Sequence, residues 1–198
     1  MDKTERKGNQ PEPSDITPLL EPLLALQRLL EHFDNQGVII DGIAASLLGK
    51  PRFTADLDAV ILLSIEGLPE LIDVAREQGI MTRIADAESF ARKNRVLLLQ
   101  HQTSGINIDI SLGILPFETE MVARSKELTV GSLRLRLPSP EDLIILKAVA
   151  HRPQDLMDIQ AVAASHPDLD KERVQFWVTQ FGDALELPDL WEKISSLL

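Results

Sequence analysis

The sequence predicts an α/β fold: a small mixed β-sheet with flanking helices, followed by a C-terminal helical subdomain. Through residue 137, short β-branched and apolar segments alternate with segments of helical periodicity, which is typical of mixed α/β domains. After residue 137 the patterns are helical. We therefore expect residues 16–137 to form the α/β domain and residues 138–198 the helical subdomain. The polar residues 1–15 are predicted to be a disordered lead-in.

The elements of the α/β domain are predicted from periodicity and from the residues that end each segment. Apolar residues at helical spacing, stopped by turn residues such as Gly49 and Gly79, predict helices at residues 19–33, 42–48, 68–78, 86–94 and 117–125. Apolar and β-branched runs predict strands at residues 38–40, 57–64, 96–102, 106–112, 128–130 and 133–137. Turn residues separate the last four strands in pairs, so we expect two hairpins.

The helical subdomain begins with a clear start signal. Ser139 stands at the N-cap position, Pro140 at the first helical position and Asp142 at the third, which predicts a helix running to about residue 151. Further helices are predicted at residues 153–164, 171–181 and 190–197.

Composition narrows the chemistry that is available. The chain has 198 residues, a formal net charge of −11 and no cysteine, so disulfides and thiolate metal sites are excluded. Oxygen ligands remain, and they suit Mg²⁺ or Mn²⁺. The acidic surface disfavours tight, non-specific binding of nucleic acid. Because the apolar runs are too short to span a bilayer and the N-terminus has no secretory core, we expect a cytoplasmic protein without a membrane contact.

Three aspartates are the strongest candidates for a functional site. Asp56 and Asp58 are two residues apart on a strand, so their carboxylates project from the same face. Asp109 alternates with isoleucines on a later strand. Neighbouring carboxylates repel each other unless a cation lies between them, which indicates a divalent metal site. In the structural alternative, an arginine such as Arg52 or Arg83 pairs with the acids instead.

A glycine turn precedes the acids by fourteen residues. Gly42 opens a helix directly after a strand, and a glycine there lets backbone N–H groups approach phosphate oxygens. Arg52 fits either a phosphate contact or a strand-end cap. Lys147 lies on an otherwise apolar helix face, so it is expected to face either solvent or an anion.

In their order and spacing, these segments resemble the nucleotidyltransferase superfamily of the DNA polymerase β type. In that superfamily a glycine turn precedes an Asp-x-Asp or Asp-x-Glu strand, and a later strand carries a third acid. Residues 41–49 and 52–58 are similar to the abortive-infection and toxin–antitoxin branch, and residues 140–147 and 151–159 resemble its C-terminal helices.

The resemblance implies transfer of a nucleoside monophosphate from a nucleoside triphosphate to an acceptor hydroxyl, with Mg²⁺ or Mn²⁺ as cofactor. The acceptor would be RNA, a protein or a small molecule such as an aminoglycoside, and a toxin–antitoxin role would add an antitoxin protein as partner. The implied metal-binding and catalytic residues are Asp56, Asp58 and Asp109. The implied nucleotide-binding residues are Gly42, Ser46, Arg52, Thr54 and Lys147.

Two departures from the family pattern leave alternatives open. Asp41 stands where the first glycine of the usual pair is found, and Gln154 where relatives often carry lysine. An acid beside the phosphates would repel them unless its side chain points away. The alternatives are a catalytically degenerate nucleotide-binding or interaction protein of the same fold, and a structural domain whose acids are merely paired.

Overall fold

The structure is a computed structural model that describes residues 17–198, so the predicted disordered lead-in lies outside the described residues. It confirms the mixed α/β fold class. Between residues 17 and 198, five strands form one mixed sheet in the order β1-β2-β5-β4-β3. These strands are β1 (Gly37–Ile40), β2 (Asp56–Ile61), β3 (Ile80–Thr82), β4 (Val96–His101) and β5 (Asn107–Leu112).

The sheet is parallel at its centre and antiparallel elsewhere. β2 and β5 pair in parallel, whereas β1 with β2, β4 with β5, and β3 with β4 pair antiparallel. The predicted hairpin of β4 and β5 is confirmed. β3 was not predicted, because only Ile80 of its three residues is buried and it has no apolar run of the kind that predicted the other short strands.

The second predicted hairpin is also confirmed, but it stands apart from the sheet. β6 (Lys126–Val130) and β7 (Leu133–Leu137) pair antiparallel around a turn at Gly131, whose φ is +60°. β7 packs against β1, and Leu133, Leu135 and Leu137 on one face of β7 are buried.

Helices flank the sheet and follow it, close to where the sequence predicts them. They are α1 (Leu20–His32), α2 (Asp41–Leu48), α3 (Leu68–Glu77), α4 (Ala87–Asn94), α5 (Pro116–Arg124), α6 (Pro140–Ala150), α7 (Pro153–Ser165), α8 (Lys171–Ala184) and α9 (Leu190–Ser195). α6 starts as predicted, because the Ser139 hydroxyl accepts a hydrogen bond from the Asp142 N–H at 3.2 Å. Among residues 17–198, no helix has the length and apolar character that a membrane span requires.

The packing of α2 positions the candidate site. α2 follows β1 directly and packs against β2, α6 and α7, so the turn at Asp41 lies near the strand that carries Asp56 and Asp58. The hydrophobic core runs without a break from α1 to α9. The predicted boundary at residue 137 stays a prediction.

Candidate active site

The three predicted acids lie on the paired strands β2 and β5. Asp58 and Asp109 are direct partners in the parallel pairing, so they project from the same face of the sheet. Asp56 lies two residues before Asp58 and shares that face. Leu57 and Ile108 point to the opposite face and are fully buried. The strand register therefore brings Asp56, Asp58 and Asp109, the acidic triad, onto one surface.

The surroundings of the acidic triad disfavour its negative charge. Burial, and next the charges of Asp41, Asp56 and Asp109, raise the pKa of Asp58 to about 7. Burial also raises the pKa of Asp109, against the opposing effect of the Arg83 guanidinium. Arg83 Nη2 lies 3.0 Å from Asp109 Oδ1, but its hydrogen bond goes to Oδ2 at 3.3 Å. Asp109 Oδ1 is buried without a hydrogen-bond donor among residues 17–198.

This charge distribution fits a divalent cation. Ionised, the acidic triad carries three negative charges, and the salt bridge from Arg83 offsets one of them. Two negative charges remain on oxygen ligands, which are the ligands that Mg²⁺ and Mn²⁺ prefer. A bound ion would also relieve the repulsion that raises the pKa of Asp58. Asp56, Asp58 and Asp109 would be the residues that hold it.

A second acidic cluster adjoins the acidic triad and is built around Lys147. Carboxylate oxygens of Asp41, Asp155 and Asp158 lie within 4.8 Å of one another, close enough to hold a divalent ion. In this structure the Lys147 ammonium contacts all three, at 2.9 Å from Asp155 and 3.0 Å from Asp158. Burial lowers the pKa of Lys147, but its hydrogen bonds to the carboxylates outweigh burial and raise it. Lys147, 4% exposed, is therefore the cation of this cluster.

Arg152 is a further charged residue of the site that was not among the predicted site residues. Its Nε donates to Asp155 Oδ2 at 2.7 Å, and its Nη2 donates to Asp41 Oδ2 at 2.8 Å. Burial raises the pKa of Asp155, but hydrogen bonds from Arg152 and Lys147 more than offset burial and lower it. The sequence did hold a signal: Asp155 is the third residue of a helix that begins at Pro153, where an acid commonly bonds back to the preceding backbone N–H.

Arg52 and Ser46, two of the predicted nucleotide-binding residues, contact protein groups here. Arg52 Nε and Nη2 each donate to Asp158 at 2.9 Å. The buried Ser46 hydroxyl donates to the Arg52 carbonyl oxygen at 3.0 Å. Ser46 therefore anchors the loop that leads into β2, and Asp158 holds the guanidinium of Arg52. Their predicted contacts to nucleotide stay predictions.

Gly42 is required by a close approach to Thr54. A Cβ atom at position 42 would lie 2.3 Å from Thr54 Oγ1 and 2.8 Å from Thr54 Cβ, distances too short for any side chain. Thr54 is buried, and its hydroxyl donates to the carbonyl oxygen of Asp56 at 3.2 Å and to Asp56 Oδ1 at 3.3 Å. The glycine turn therefore packs directly on the segment that orients the first acid.

These groups surround one pocket of about 380 Å³, within the range of small-molecule sites. It contains the acidic triad together with Gly42, Arg52 and Thr54, whereas Ser46 and Lys147 lie outside its lining. The lining residues are Asp41, Gly42, Arg52, Thr54, Asp56, Asp58, Asp109, Arg152, Gln154 and Asp155. A wider groove of about 810 Å³ lies at the far end of α2, near Leu48, and the acidic triad does not line it.

The chain matches a known protein family, and solved structures share its fold. A family model described as "Nucleotidyltransferase of unknown function (DUF6036)" matches residues 19–184. No curated protein sequence matches the chain.

Two solved structures have a similar fold. The antibiotic-resistance factor ANT(2'')-Ia aligns with a TM-score of 0.56 and 14% identity, over 84% of this chain and 94% of its own. An antigenic nucleotidyltransferase-like protein from Paracoccidioides brasiliensis aligns with a TM-score of 0.53 and 15% identity, over 92% of this chain and 93% of its own. Identities this low establish the fold alone. Because the family model spans most of the sequence, the chain belongs to the DUF6036 family of nucleotidyltransferases of unknown function.

Proposed function

We propose that the protein is a Mg²⁺- or Mn²⁺-dependent enzyme that transfers a nucleoside monophosphate from a nucleoside triphosphate to an acceptor hydroxyl. The observation that carries the proposal is the direct pairing of Asp58 with Asp109, beside the Gly42 turn and inside one open pocket. The family match supports the same reaction class.

The acidic triad would hold the metal. When bound, a divalent ion there supplies activation of the attacking oxygen and stabilisation of the leaving pyrophosphate. Thr54 fixes Asp56 by a hydrogen bond, and the β2–β5 register fixes Asp58 opposite Asp109. The ligand positions are therefore set by backbone pairing and by a buried side chain, which is the kind of support that a precise site needs.

The remaining residues have roles that follow from their positions. Gly42 lines the pocket at the start of α2, where backbone N–H groups bind phosphate oxygens. Arg152, whose side chain is 59% exposed at the pocket wall, contacts the triphosphate. In the transfer, a bond forms between the acceptor oxygen and the α-phosphorus while the bond from the α-phosphorus to its bridging oxygen breaks and pyrophosphate leaves. Asp109, with its raised pKa, accepts the hydroxyl proton.

The acceptor is proposed to be a small molecule, a protein or RNA, in that order. A similar solved structure is an antibiotic-resistance factor, which supports a small-molecule acceptor. The net charge of −11 weakens the case for RNA.

The resemblance to the toxin–antitoxin branch extends the proposal to a growth-inhibiting role that an antitoxin partner relieves. Expression in a bacterial host tests that role, because growth inhibition would have to disappear in Asp58→Asn.

The test of the activity is a labelled-nucleotide assay with matched variants. Purified protein is incubated with each α-³²P-labelled nucleoside triphosphate, Mg²⁺ and one acceptor class: an aminoglycoside panel, a protein extract or total RNA. We expect label in one acceptor class, loss of label with EDTA, and at least a roughly 100-fold loss in Asp58→Asn and Asp109→Asn. Asp73→Asn, which changes an exposed acid paired with Arg76, is the control and keeps full activity. Unchanged activity in both variants would refute the mechanism.

The second candidate is a nucleotide-binding protein that has lost catalysis. The observation that favours it is the Arg83–Asp109 salt bridge, since an arginine already occupies one side of the third acid. This candidate predicts nucleotide binding without label in any acceptor class. A Mg²⁺ titration separates both candidates from a purely structural role, which predicts no metal binding at all.

A further inference from the structure

The backbone at Asp41 has a conformation that glycine adopts more readily. Its φ is +52°, in the left-handed region, where aspartate is tolerated better than most residues because its short side chain can bond locally. Position 41 is also the first residue of α2, directly after β1 and next to Gly42. An aspartate here places a carboxylate where the proposed reaction needs room for phosphate.

The Asp41 carboxylate is bonded to two cations of the site. It accepts hydrogen bonds from Lys147 Nζ and from Arg152 Nη2, the latter at 2.8 Å. Within the described residues 17–198, the cluster balances three acids against three cations. The acids are Asp41, Asp155 and Asp158, and the cations are Arg52, Lys147 and Arg152. The turn therefore presents no net positive charge to an anion.

Of the acids in the cluster, Asp41 is also the one whose ion pairs can be broken at the lowest cost. Without it, Lys147 keeps its contacts to Asp155 at 2.9 Å and to Asp158 at 3.0 Å, so the buried ammonium stays paired. Arg152 keeps its bonds to Asp155, from Nε at 2.7 Å and from Nη2 at 3.2 Å, and the second N–H of Nη2 is released to bind another acceptor. Asp155 and Asp158 are almost fully buried, whereas the Asp41 side chain is 27% exposed and lines the pocket.

We propose that Asp41 is an internal competitor for the triphosphate and sets the affinity of the site for nucleotide. In the protein without nucleotide, its carboxylate is bonded to Arg152 and Lys147. A polyphosphate binds by displacing the carboxylate from Arg152. The inference rests on the proposed function only in taking the triphosphate of a nucleotide as the natural anion. Asp41 is thus an affinity-determining residue, and a neutral residue at position 41 leaves one uncompensated positive charge facing the pocket.

The test measures the binding of inorganic tripolyphosphate, which has the charge shared by all nucleoside triphosphates and needs no turnover. Isothermal titration in Mg²⁺ buffer compares the wild type with Asp41→Asn and Asp41→Gly. We expect Kd to fall about tenfold in both variants, because a charge-assisted bond to phosphate replaces an internal one. In the double variant D41N/R152Q the gain should disappear, because the freed guanidinium is gone. Thermal unfolding checks that each variant is folded.

Asp34→Asn is the matched control. Asp34 is exposed, has nearly the same left-handed φ of +53°, and lies at the turn between α1 and β1, so its substitution changes the net charge equally without touching the pocket. Its Kd should stay within about twofold of the wild type. An unchanged or higher Kd in D41N and D41G, or no binding by any form, overturns the inference.

The two proposals fail in different ways. If the wild type transfers no nucleotide but D41N binds tripolyphosphate more tightly, the proposed function fails and the role of Asp41 stands. If the wild type transfers nucleotide and D41N binds no more tightly, only the role of Asp41 fails.

Discussion

Space at one position decides whether the glycine turn can form. Gly42 and Thr54 approach so closely that a methyl group at position 42 would overlap the threonine hydroxyl. The same hydroxyl bonds to Asp56, so the contact connects the turn to the acidic triad. The residue type at position 42 therefore affects both folding and the placement of a proposed metal ligand.

We predict that Gly42→Ala destabilises the protein by about 1–3 kcal/mol, as overpacking does, and abolishes nucleotide transfer. Urea unfolding measures the first effect and the labelled-nucleotide assay the second. Gly105→Ala is the control, because a Cβ there meets no atom within 4 Å and only its φ of +71° opposes the change. It should cost about 1 kcal/mol and leave transfer intact. A Gly42→Ala protein with wild-type stability and activity would contradict the close approach.

At the residue scale, the sequence predicted the acidic triad but not the partners of its neighbours. Alternation along 106–112 was enough to place Asp109 on a polar face, because the isoleucines on either side must be buried. The contacts of Lys147 with Asp41 and of Arg52 with Asp158 join residues 106 positions apart. No local pattern encodes such contacts, and spacing alone leaves a lysine on an apolar face with either solvent or an anion as its partner.

At the scale of elements, the charged cluster joins α2, α6 and α7. Lys147 of α6 contacts Asp41 at the start of α2, and Asp155 and Asp158 on α7. Burial raises the pKa of Asp158, but hydrogen bonds from Arg52 and Lys147 more than offset burial and lower it. Removing one charged side chain of such a buried cluster leaves another charge unpaired. The packing of these helices therefore depends on the ionisation of the side chains in the cluster.

Because the pKa of Asp155 is lowered in the folded protein, the cluster should stabilise the fold more at neutral pH than at low pH. A carboxyl whose pKa is lower in the folded state stabilises the protein above its unfolded pKa of about 3.9, and that contribution is lost as the pH falls through the folded value. Arg152 supplies the largest hydrogen-bond contribution to this lowering.

We therefore predict that Arg152→Gln lowers the free energy of unfolding by about 1–3 kcal/mol at pH 7, with a smaller loss at pH 3. Urea unfolding at both pH values measures the difference. Arg76→Gln is the control, because Arg76 and Asp73 form the same kind of pair three residues apart but both are exposed, so the loss should stay below about 0.5 kcal/mol at either pH. Equal losses for Arg152→Gln at the two pH values would disprove the linkage.

Helices and strands were predicted correctly where hydrophobic periodicity, turn residues or a helix cap marked them. They were missed where the sequence has none of these signals. The Ser139-Pro140 start gave α6 its first residue, and turn residues gave both hairpins. β3 pairs at the edge of the sheet and buries only Ile80, so nothing in its own sequence separates it from a loop. The parallel pairing of β2 with β5 joins strands that are not consecutive, and only the structure shows their register.

At the scale of the whole molecule, one core joins the sheet to the last helices. Phe117 on α5 packs edge-on against Trp177 at 5.3 Å and Phe181 at 5.4 Å between ring centroids, both on α8. Arg173 of α8 also donates to Glu120 of α5 at 2.7 Å. Such contacts cross the boundary predicted at residue 137 and tie the two parts together energetically.

We predict that the protein unfolds in one cooperative transition. The chain has two tryptophans, Trp177 on α8 and Trp191 on α9, so tryptophan fluorescence reports on the C-terminal helices and on the contact of Trp177 with Phe117. Far-UV circular dichroism reports on all helices. Because the core is continuous, the two urea curves should coincide. Phe117→Ala, which loosens the contact, should lower both midpoints together, with a cost of about 3–5 kcal/mol. Separate midpoints in the wild type would instead show that the two parts fold independently.

The left-handed turn at Asp41 has an evolutionary consequence. Aspartate and glycine codons differ at their middle base, and glycine accepts a φ of +52° without strain. A point mutation in the gene therefore converts one residue type to the other with the backbone already in place. If the carboxylate sets nucleotide affinity, selection can retune this protein to richer or poorer nucleotide supply in a single genetic step, without rebuilding its architecture.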